Sequence, residues 1–356
     1  MSFLELFYDL VFVVLVAQIA HSLAEDASWS GVAGFVVVFA IIWIAWFNGS
    51  LYYEAHARED GRARISIFVQ MFLLVALAAI AARATDENGA VFAGTYAALL
   101  AVLAWQWWSV GRHDVLPAYR PWTVRYVVGL LGAIGNVLVS IFAVPTVREL
   151  LWAAMVVVWV LGLGAQNLRS KDHPLGVTAT EALAERFGLF TILVLGEVVV
   201  GVVDGMSAAG GAALTLVTGL LALSVGFGFW WNYFEAIGRL PPRRTAGAFT
   251  AWTLTHLPLT AAILITGAGM VSLIEHESDA RTPFGTAWLL AGPSTALLVL
   301  LAVLITTIDY EPARAELVGP VSVALGVGAV GSVAVGLLRP QAWILALLLV
   351  LIHAAT

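Results

Sequence analysis

Residues 30–53 read SGVAGFVVVFAIIWIAWFNGSLYY, a stretch of 24 residues without a single charged side chain. About 20 consecutive apolar residues in a helix are enough to cross the hydrocarbon core of a bilayer. No alternation of polar and apolar residues runs through the stretch, which excludes a strand of a transmembrane barrel. The stretch therefore predicts a transmembrane helix, because only a helix satisfies its own backbone hydrogen bonds in lipid.

The same pattern recurs along the chain. Apolar residues make up 61% of the 356 residues and charged residues 11%, with a mean hydropathy of +0.94, which is typical of a polytopic membrane protein. We predict an all-α transmembrane bundle of about twelve spans. Their predicted bounds are 3–23, 30–53, 65–83, 90–110, 123–143, 149–168, 182–204, 212–235, 246–273, 284–307, 316–337 and 340–355.

The distribution of arginine predicts the orientation. Basic residues near short loops are retained on the cytoplasmic side of the membrane. The even-numbered connections are rich in them, whereas the odd-numbered ones hold few, so we expect both termini in the cytoplasm. The even connections carry Arg58, Arg62, Arg64, Arg112, Arg120, Arg125, Arg169, Lys171, Arg186, Arg239, Arg243, Arg244 and Arg314, and the odd ones Arg83, Arg148, Arg281 and Arg339.

The two halves of the sequence resemble each other. Three ionisable residues of the first span recur at identical spacing in the seventh, with an offset of 176, and an aromatic-acid ending of the second span recurs in the eighth. Six spans per half make the repeats parallel, so we predict repeats at 1–175 and 176–356. The matched residues are Glu5, Asp9 and His21 with Glu181, Glu185 and Glu197, and Tyr52, Tyr53 and Glu54 with Tyr233, Phe234 and Glu235.

These acidic residues are the main candidates for a proton or substrate pathway. Glu5 and Asp9 lie four residues apart on one helix face, as do Glu181 and Glu185, and like charges at that spacing repel unless a proton or cation is bound. The alternative is that both pairs are solvated or neutralised by arginines such as Arg186.

His21 and Glu197 are placed further along their helices, on another face. Twelve residues rotate a helix by about 120° relative to the carboxylate pair. Glu197 has apolar neighbours on both sides and is the carboxylate most deeply set in apolar sequence. Such a residue is functional by default in a membrane, although a hydrogen bond between packed helices is the alternative.

His256 follows Thr255 and precedes Leu257 and Pro258 in the ninth span. Because proline lacks an N–H, it frees a carbonyl there, so His256 either titrates or satisfies the backbone. The secondary polar candidates are Asn48, Gln70, Glu54 and Glu235, and Asn136 is a further buried polar residue. For Asn48, Gln70 and Asn136 hydrogen bonding between helices is the main alternative.

Several classes of site are excluded or not expected. The chain has no cysteine, which removes disulfides and thiolate chemistry. Its single lysine, Lys171, lies in a loop, so a retinal Schiff base within the membrane is impossible. We expect no metal and no cofactor, and a net charge of −6 spread over the loops does not indicate a nucleic-acid partner.

Four segments carry a resemblance to a known family. They are ELFYDLVF (5–12), NGSLYYE (48–54) with Arg62, Arg64, Phe68, Gln70 and Met71, ERFGLFTILVLGE (185–197) and HLPL (256–259). Over residues 3–275 the chain resembles the bacterial low temperature requirement A (LtrA) family. The resemblance implies a multi-pass protein of the bacterial plasma membrane and names no reaction.

Two classes of function remain open. Parallel repeats with carboxylates at equivalent positions favour a secondary transporter or a proton- or cation-coupled carrier of a small molecule or ion, with a channel as a close variant. The alternative is a membrane-embedded enzyme that acts on a lipid or isoprenoid, although no nucleophile motif is visible. A sensor or scaffold would need a soluble domain that the sequence lacks. A homodimer is compatible with either reading.

Overall fold

The computed structural model describes residues 3–25, 27–56, 61–113, 120–169, 180–238 and 240–356. Regular structure in these residues is helical, apart from one isolated bridge between Pro242 and Ile308. Within the described ranges, eleven helices are long and apolar enough to cross a membrane, and a shorter apolar helix follows them. The predicted all-α polytopic bundle is confirmed. Arg58, Lys171 and Arg239, which entered the orientation argument, lie outside the described residues.

Contacts divide the chain into two compact units. The first comprises Met1–Ile19 and Ala33–Thr178, and the second Ala20–Val32 and Ala179–Thr356. Helix α1 contributes residues to both. The prediction that the halves are repeats stays a prediction.

The helices of the first half begin and end close to the predicted spans. Ser28 caps α2, because its hydroxyl accepts from the Gly31 N–H at 3.0 Å. A short 3-10 turn, Ala81–Arg83, follows α3. The six helices are α1 Phe3–Glu25, α2 Trp29–His56, α3 Gly61–Ile80, α4 Gly89–His113, α5 Arg120–Ser140 and α6 Pro145–Arg169.

The second half is built around a central helix, α9. Threonines cap two of its helices: Thr180 accepts from the Leu183 N–H, and Thr245 from the Ala248 N–H. In the most apolar part of α9, 78% of the residues are buried, against 22% for α5 or α6. The helices are α7 Glu181–Ala208, α8 Ala213–Ala236, α9 Ala246–Glu275, α10 Phe284–Ile305, α11 Val318–Leu338 and α12 Ala342–Ala355.

Prolines interrupt the hydrogen bonding of two adjacent helices. Pro258 lies in α9 and Pro293 in α10. Since proline has no N–H, the carbonyls of Leu254 and Leu289, four residues earlier, lose their helical donors. Helices α9 and α10 pack closely all the same, and the Ser272 and Thr286 hydroxyls hydrogen-bond between them at 2.8 Å.

A buried arginine holds the turn between α5 and α6. The guanidinium of Arg148 donates to the carbonyls of Ser140 at 3.2 Å, Ala143 at 3.0 Å and Asp86 at 3.4 Å. The Ser140 and Asp86 carbonyls also accept from the Ala143 and Gly89 N–H groups, so the guanidinium adds a second donor to each and ties the two turns together. Gly89 leaves the room for it, since a Cβ there would lie 2.0 Å from a guanidinium nitrogen.

We expect Arg148→Met to lower the free energy of unfolding by about 3 kcal/mol, because the hydrogen bonds from a buried, charged donor are lost. Thermal unfolding of the purified protein measures it. Arg83→Met is the matched control, since Arg83 makes an exposed pair with Glu87 at 2.8 Å, a kind of bridge that contributes little. Equal losses in both variants would contradict a structural role for Arg148.

Candidate functional site

Asp9 lies in the interior of the first unit. Its side chain has no exposed surface, and the indole N–H of Trp46, also fully buried, donates to Asp9 Oδ1 at 2.9 Å. Glu5, one turn earlier on α1, is half-buried. The predicted carboxylate pair thus consists of one deeply buried acid and one closer to the surface.

Gln70 joins three helices through its amide. The Tyr8 hydroxyl of α1 donates to Gln70 Oε1 at 2.7 Å, and Gln70 Nε2 donates to Gln106 Oε1 of α4 at 3.2 Å and to the Ser66 carbonyl at 3.2 Å. The lack of a side chain at Gly49 leaves room for Tyr8, because a Cβ at Gly49 would lie 3.0 Å from the Tyr8 hydroxyl oxygen. The role of Gln70 among the described residues is that of a connector between helices.

Asn48 is also engaged in hydrogen bonds within the first unit. Its Nδ2 donates to the Ile44 carbonyl at 2.6 Å, and its Oδ1 accepts a short hydrogen bond from the Tyr126 hydroxyl of α5. The ring of Tyr126 packs on Trp107, with centroids 4.6 Å apart. The amide therefore fixes α5 against α2.

A cavity of about 500 Å³ lies beside this hydrogen bond, between α2, α4, α5 and α6. Its wall is largely apolar, and Trp159 forms part of it, packed edge-on against Phe47 with centroids 5.6 Å apart. A cavity of this size and character suits a small organic ligand. The polar side chains that line it are Asn48, Tyr96, Arg125, Tyr126 and Asn136.

His256 is the centre of a hydrogen-bonded chain in the second unit. The ring is fully buried, with Nδ1 2.7 Å from the Trp252 carbonyl and Nε2 3.0 Å from the Tyr233 hydroxyl. Because a carbonyl only accepts, Nδ1 carries the proton and Nε2 of the neutral ring accepts from Tyr233. The carbonyl involved is that of Trp252, not the Leu254 carbonyl that Pro258 frees.

His21 and Glu197 meet in the second unit. Both line a cavity of about 20 Å³, together with residues of α9, and their charges interact. His21 is exposed and Glu197 half-buried in the bundle itself. The cavity has room for about one water molecule, so it suits proton movement better than the binding of an organic substrate.

The remaining predicted residues lie closer to the surface. Glu181 is exposed, and Glu185 and Glu54 are half-buried. Glu235 pairs with Arg314 at 3.4 Å, and both side chains are mostly exposed, which makes this a weak surface interaction. Glu185 is thus less buried than Asp9, its predicted counterpart.

Sequence reasoning missed the partners of the buried groups. Trp46, Tyr126 and Tyr233 were not proposed as site residues, and Arg125 was used only to orient the chain. No spacing rule connects Trp46 to Asp9, 37 residues apart. The one available signal was Arg125 itself, a charge placed inside the predicted start of a span.

Comparison with known proteins covers nearly the whole chain. The model of the family described as bacterial low temperature requirement A protein (LtrA) matches residues 1–354. An uncharacterized protein of Rhizobium meliloti (strain 1021) is 25% identical over 310 residues, which cover 79% of this chain and 71% of the relative. No solved structure matches.

Proposed function

Because the chain belongs to the bacterial LtrA family and buries a carboxylate in a membrane helix, we propose that this integral membrane protein is a proton- or cation-coupled carrier of a small molecule. The observation that carries the proposal is the burial of the Asp9 carboxylate in α1. The bacterial plasma membrane is its proposed location, with both termini in the cytoplasm and the two halves as parallel repeats. A channel variant would conduct without a saturable substrate.

Burying the Asp9 carboxylate costs free energy, and a role in binding a proton or cation would explain why it is buried. A charged carboxylate loses its hydration inside a bundle, and hydrogen bonds such as the one from the Trp46 indole replace only part of it. Ionisable residues within membrane helices mark proton and ion pathways for this reason. Asp9 is therefore the residue at which we propose that a proton or cation is bound and released.

The second unit supports the proposal with groups that can pass a proton. Imidazole and hydroxyl groups both donate and accept, and His256 and Tyr233 are hydrogen-bonded to each other. A proton that arrives at Nε2 requires the Tyr233 hydroxyl to turn away. His21 and Glu197, on their own small cavity, are a second acid–base pair.

The enzyme alternative receives less support from the large cavity. The described residues that line it include no carboxylate, histidine or serine, so an acid–base pair or a nucleophile is missing there. Within the described part of the chain, no cluster of three or more histidine and acidic residues could hold a metal ion. The cavity is better suited to binding than to chemistry.

Proton flux into liposomes tests the coupling. Purified protein is reconstituted with an internal pH dye, and pH and voltage gradients are imposed. We expect flux in the wild type and its loss in Glu197→Gln, which keeps the shape of the side chain and removes its ionisation.

The matched control is Glu87→Gln, the same change at an exposed carboxylate, which we expect to leave the flux unaltered. Absence of wild-type flux under every gradient would refute proton coupling. Normal flux in Glu197→Gln would remove that residue from the pathway.

A further inference from the structure

We propose that the cavity between α2, α4, α5 and α6 binds an elongated single-chain amphiphile, with an anionic group at one end and a hydrogen-bond donor at the other. The proposal goes beyond coupling, since it names the chemical class of the ligand. Calling this ligand the substrate rests on the proposed carrier function, whereas binding itself does not.

Arg125 is the residue that would bind the anionic end of the ligand. It is the one formally charged residue among the described residues of the lining. Its guanidinium has neither an ion pair nor a hydrogen bond with any residue in the described ranges. A carboxylate or phosphate would pair with it and form charge-assisted hydrogen bonds.

Asn136 is the residue that would accept a hydrogen bond from the other end of the ligand. Its Oδ1 is buried, lines the cavity region and has no hydrogen-bond partner among the described residues. An unsatisfied buried acceptor is costly, and a ligand hydroxyl or amide would remove that cost. Asn48 and Tyr126, by contrast, already satisfy each other.

The elongated shape follows from the positions on α5. Arg125 and Asn136 are eleven residues apart, a separation of about 16 Å along the helix at 1.5 Å per residue. Between them the wall contains Gly129 and Gly132, whose missing side chains leave the space open. The volume of about 500 Å³ suits one narrow chain.

The cavity is also open rather than sealed. Val158, on its α6 wall, is 69% exposed, and α5 and α6 are the least buried long helices in the described part of the chain. In a bilayer such exposed apolar residues face lipid. A membrane-dissolved amphiphile could therefore enter from the side.

Three probes test the two ends separately. They are ω-hydroxydodecanoate, which has both groups, dodecanoate, which lacks the hydroxyl, and dodecanediol, which lacks the charge. Binding of the radiolabelled probes is measured on protein in nanodiscs of zwitterionic lipid, with empty nanodiscs subtracted. We expect ω-hydroxydodecanoate to bind about tenfold more tightly than either of the others.

Variants assign each end. Arg125→Gln should weaken the two acids about tenfold and leave dodecanediol unchanged, and Asn136→Leu should remove the advantage of ω-hydroxydodecanoate over dodecanoate. Gly132→Leu should weaken all three probes by filling the cavity. Its matched control is Gly135→Leu, on the same helix but outside the lining, and a Cβ at either glycine meets no atom within 4 Å.

Gly162→Leu fills the cavity from α6 and serves if Gly132→Leu fails to fold. Equal binding by the Gly132→Leu and Gly135→Leu variants, or acids unaffected by Arg125→Gln, would overturn the proposal. Competition by phosphatidylglycerol in the nanodiscs would assign the anion to a bilayer lipid and overturn the single-chain ligand. Because no gradient is applied, loss of binding and loss of proton flux are separate results.

Discussion

Asp9→Asn should reduce proton-coupled transport by about a hundredfold or more, the scale on which a positioned acid–base group contributes, while the protein folds normally. The asparagine side chain has the same shape, and its Oδ1 can still accept the hydrogen bond from the Trp46 indole. It cannot release a proton. The substitution thus separates ionisation from packing.

The same liposome assay measures the effect, beside thermal unfolding of the purified variant. Asp9→Leu is the informative companion, since it leaves the Trp46 N–H without its acceptor and should lower the unfolding temperature, which Asp9→Asn should not. Transport by Asp9→Asn at the wild-type rate would reduce Asp9 to a hydrogen-bond acceptor for Trp46.

Gly269→Val should destabilise the second unit by about 3 kcal/mol or more, the upper range for forcing extra atoms into a packed core. A Cβ at Gly269 would lie 2.7 Å from the carbonyl oxygen of Leu289 on α10 and 2.9 Å from its carbonyl carbon. That carbonyl is the one that Pro293 frees, and here a Cα–H of glycine can approach it. The obstacle is backbone, so α9 and α10 would have to separate.

Gly247→Val is the matched control on the same helix, because a Cβ at Gly247 meets nothing within 4 Å. Both variants carry the same cost of a β-branched residue replacing glycine, so their difference in unfolding temperature reports the contact with α10. We expect only Gly269→Val to unfold early. Equal behaviour would show that the close approach of α9 and α10 contributes nothing to stability.

The helical spans were predictable because lipid leaves the backbone little choice. The bounds of the spans were harder to predict where polar residues form part of a helix. The prediction began the sixth span at residue 149, whereas α6 begins at Pro145. Proline is favoured at the first position of a helix, and Arg148 lies inside α6 because its guanidinium donates to the carbonyls of the preceding turn.

The ionisable residues of the candidate site could be predicted from the sequence, whereas the residues that hydrogen-bond to them could not. Asp9 and His256 were proposed from sequence, and both are fully buried. Trp46 and Tyr233 reach them through tertiary packing, which no local spacing encodes. The large cavity was not foreseen either, because it arises where Gly129, Gly132 and Gly162 leave room on two helices.

The two prolines of α9 and α10 have a mechanical consequence. A helix resists bending because bending stretches its hydrogen bonds, and at Leu254 and Leu289 there is no helical bond left to stretch. Leu254 is the ninth of the 30 residues of α9, and Leu289 is the sixth of the 22 residues of α10. Because Leu289 lies against Gly269 of α9 and not beside Leu254, the two points are at different levels of the helix pair. Each helix should therefore bend at its own proline, within the span and not at the loops.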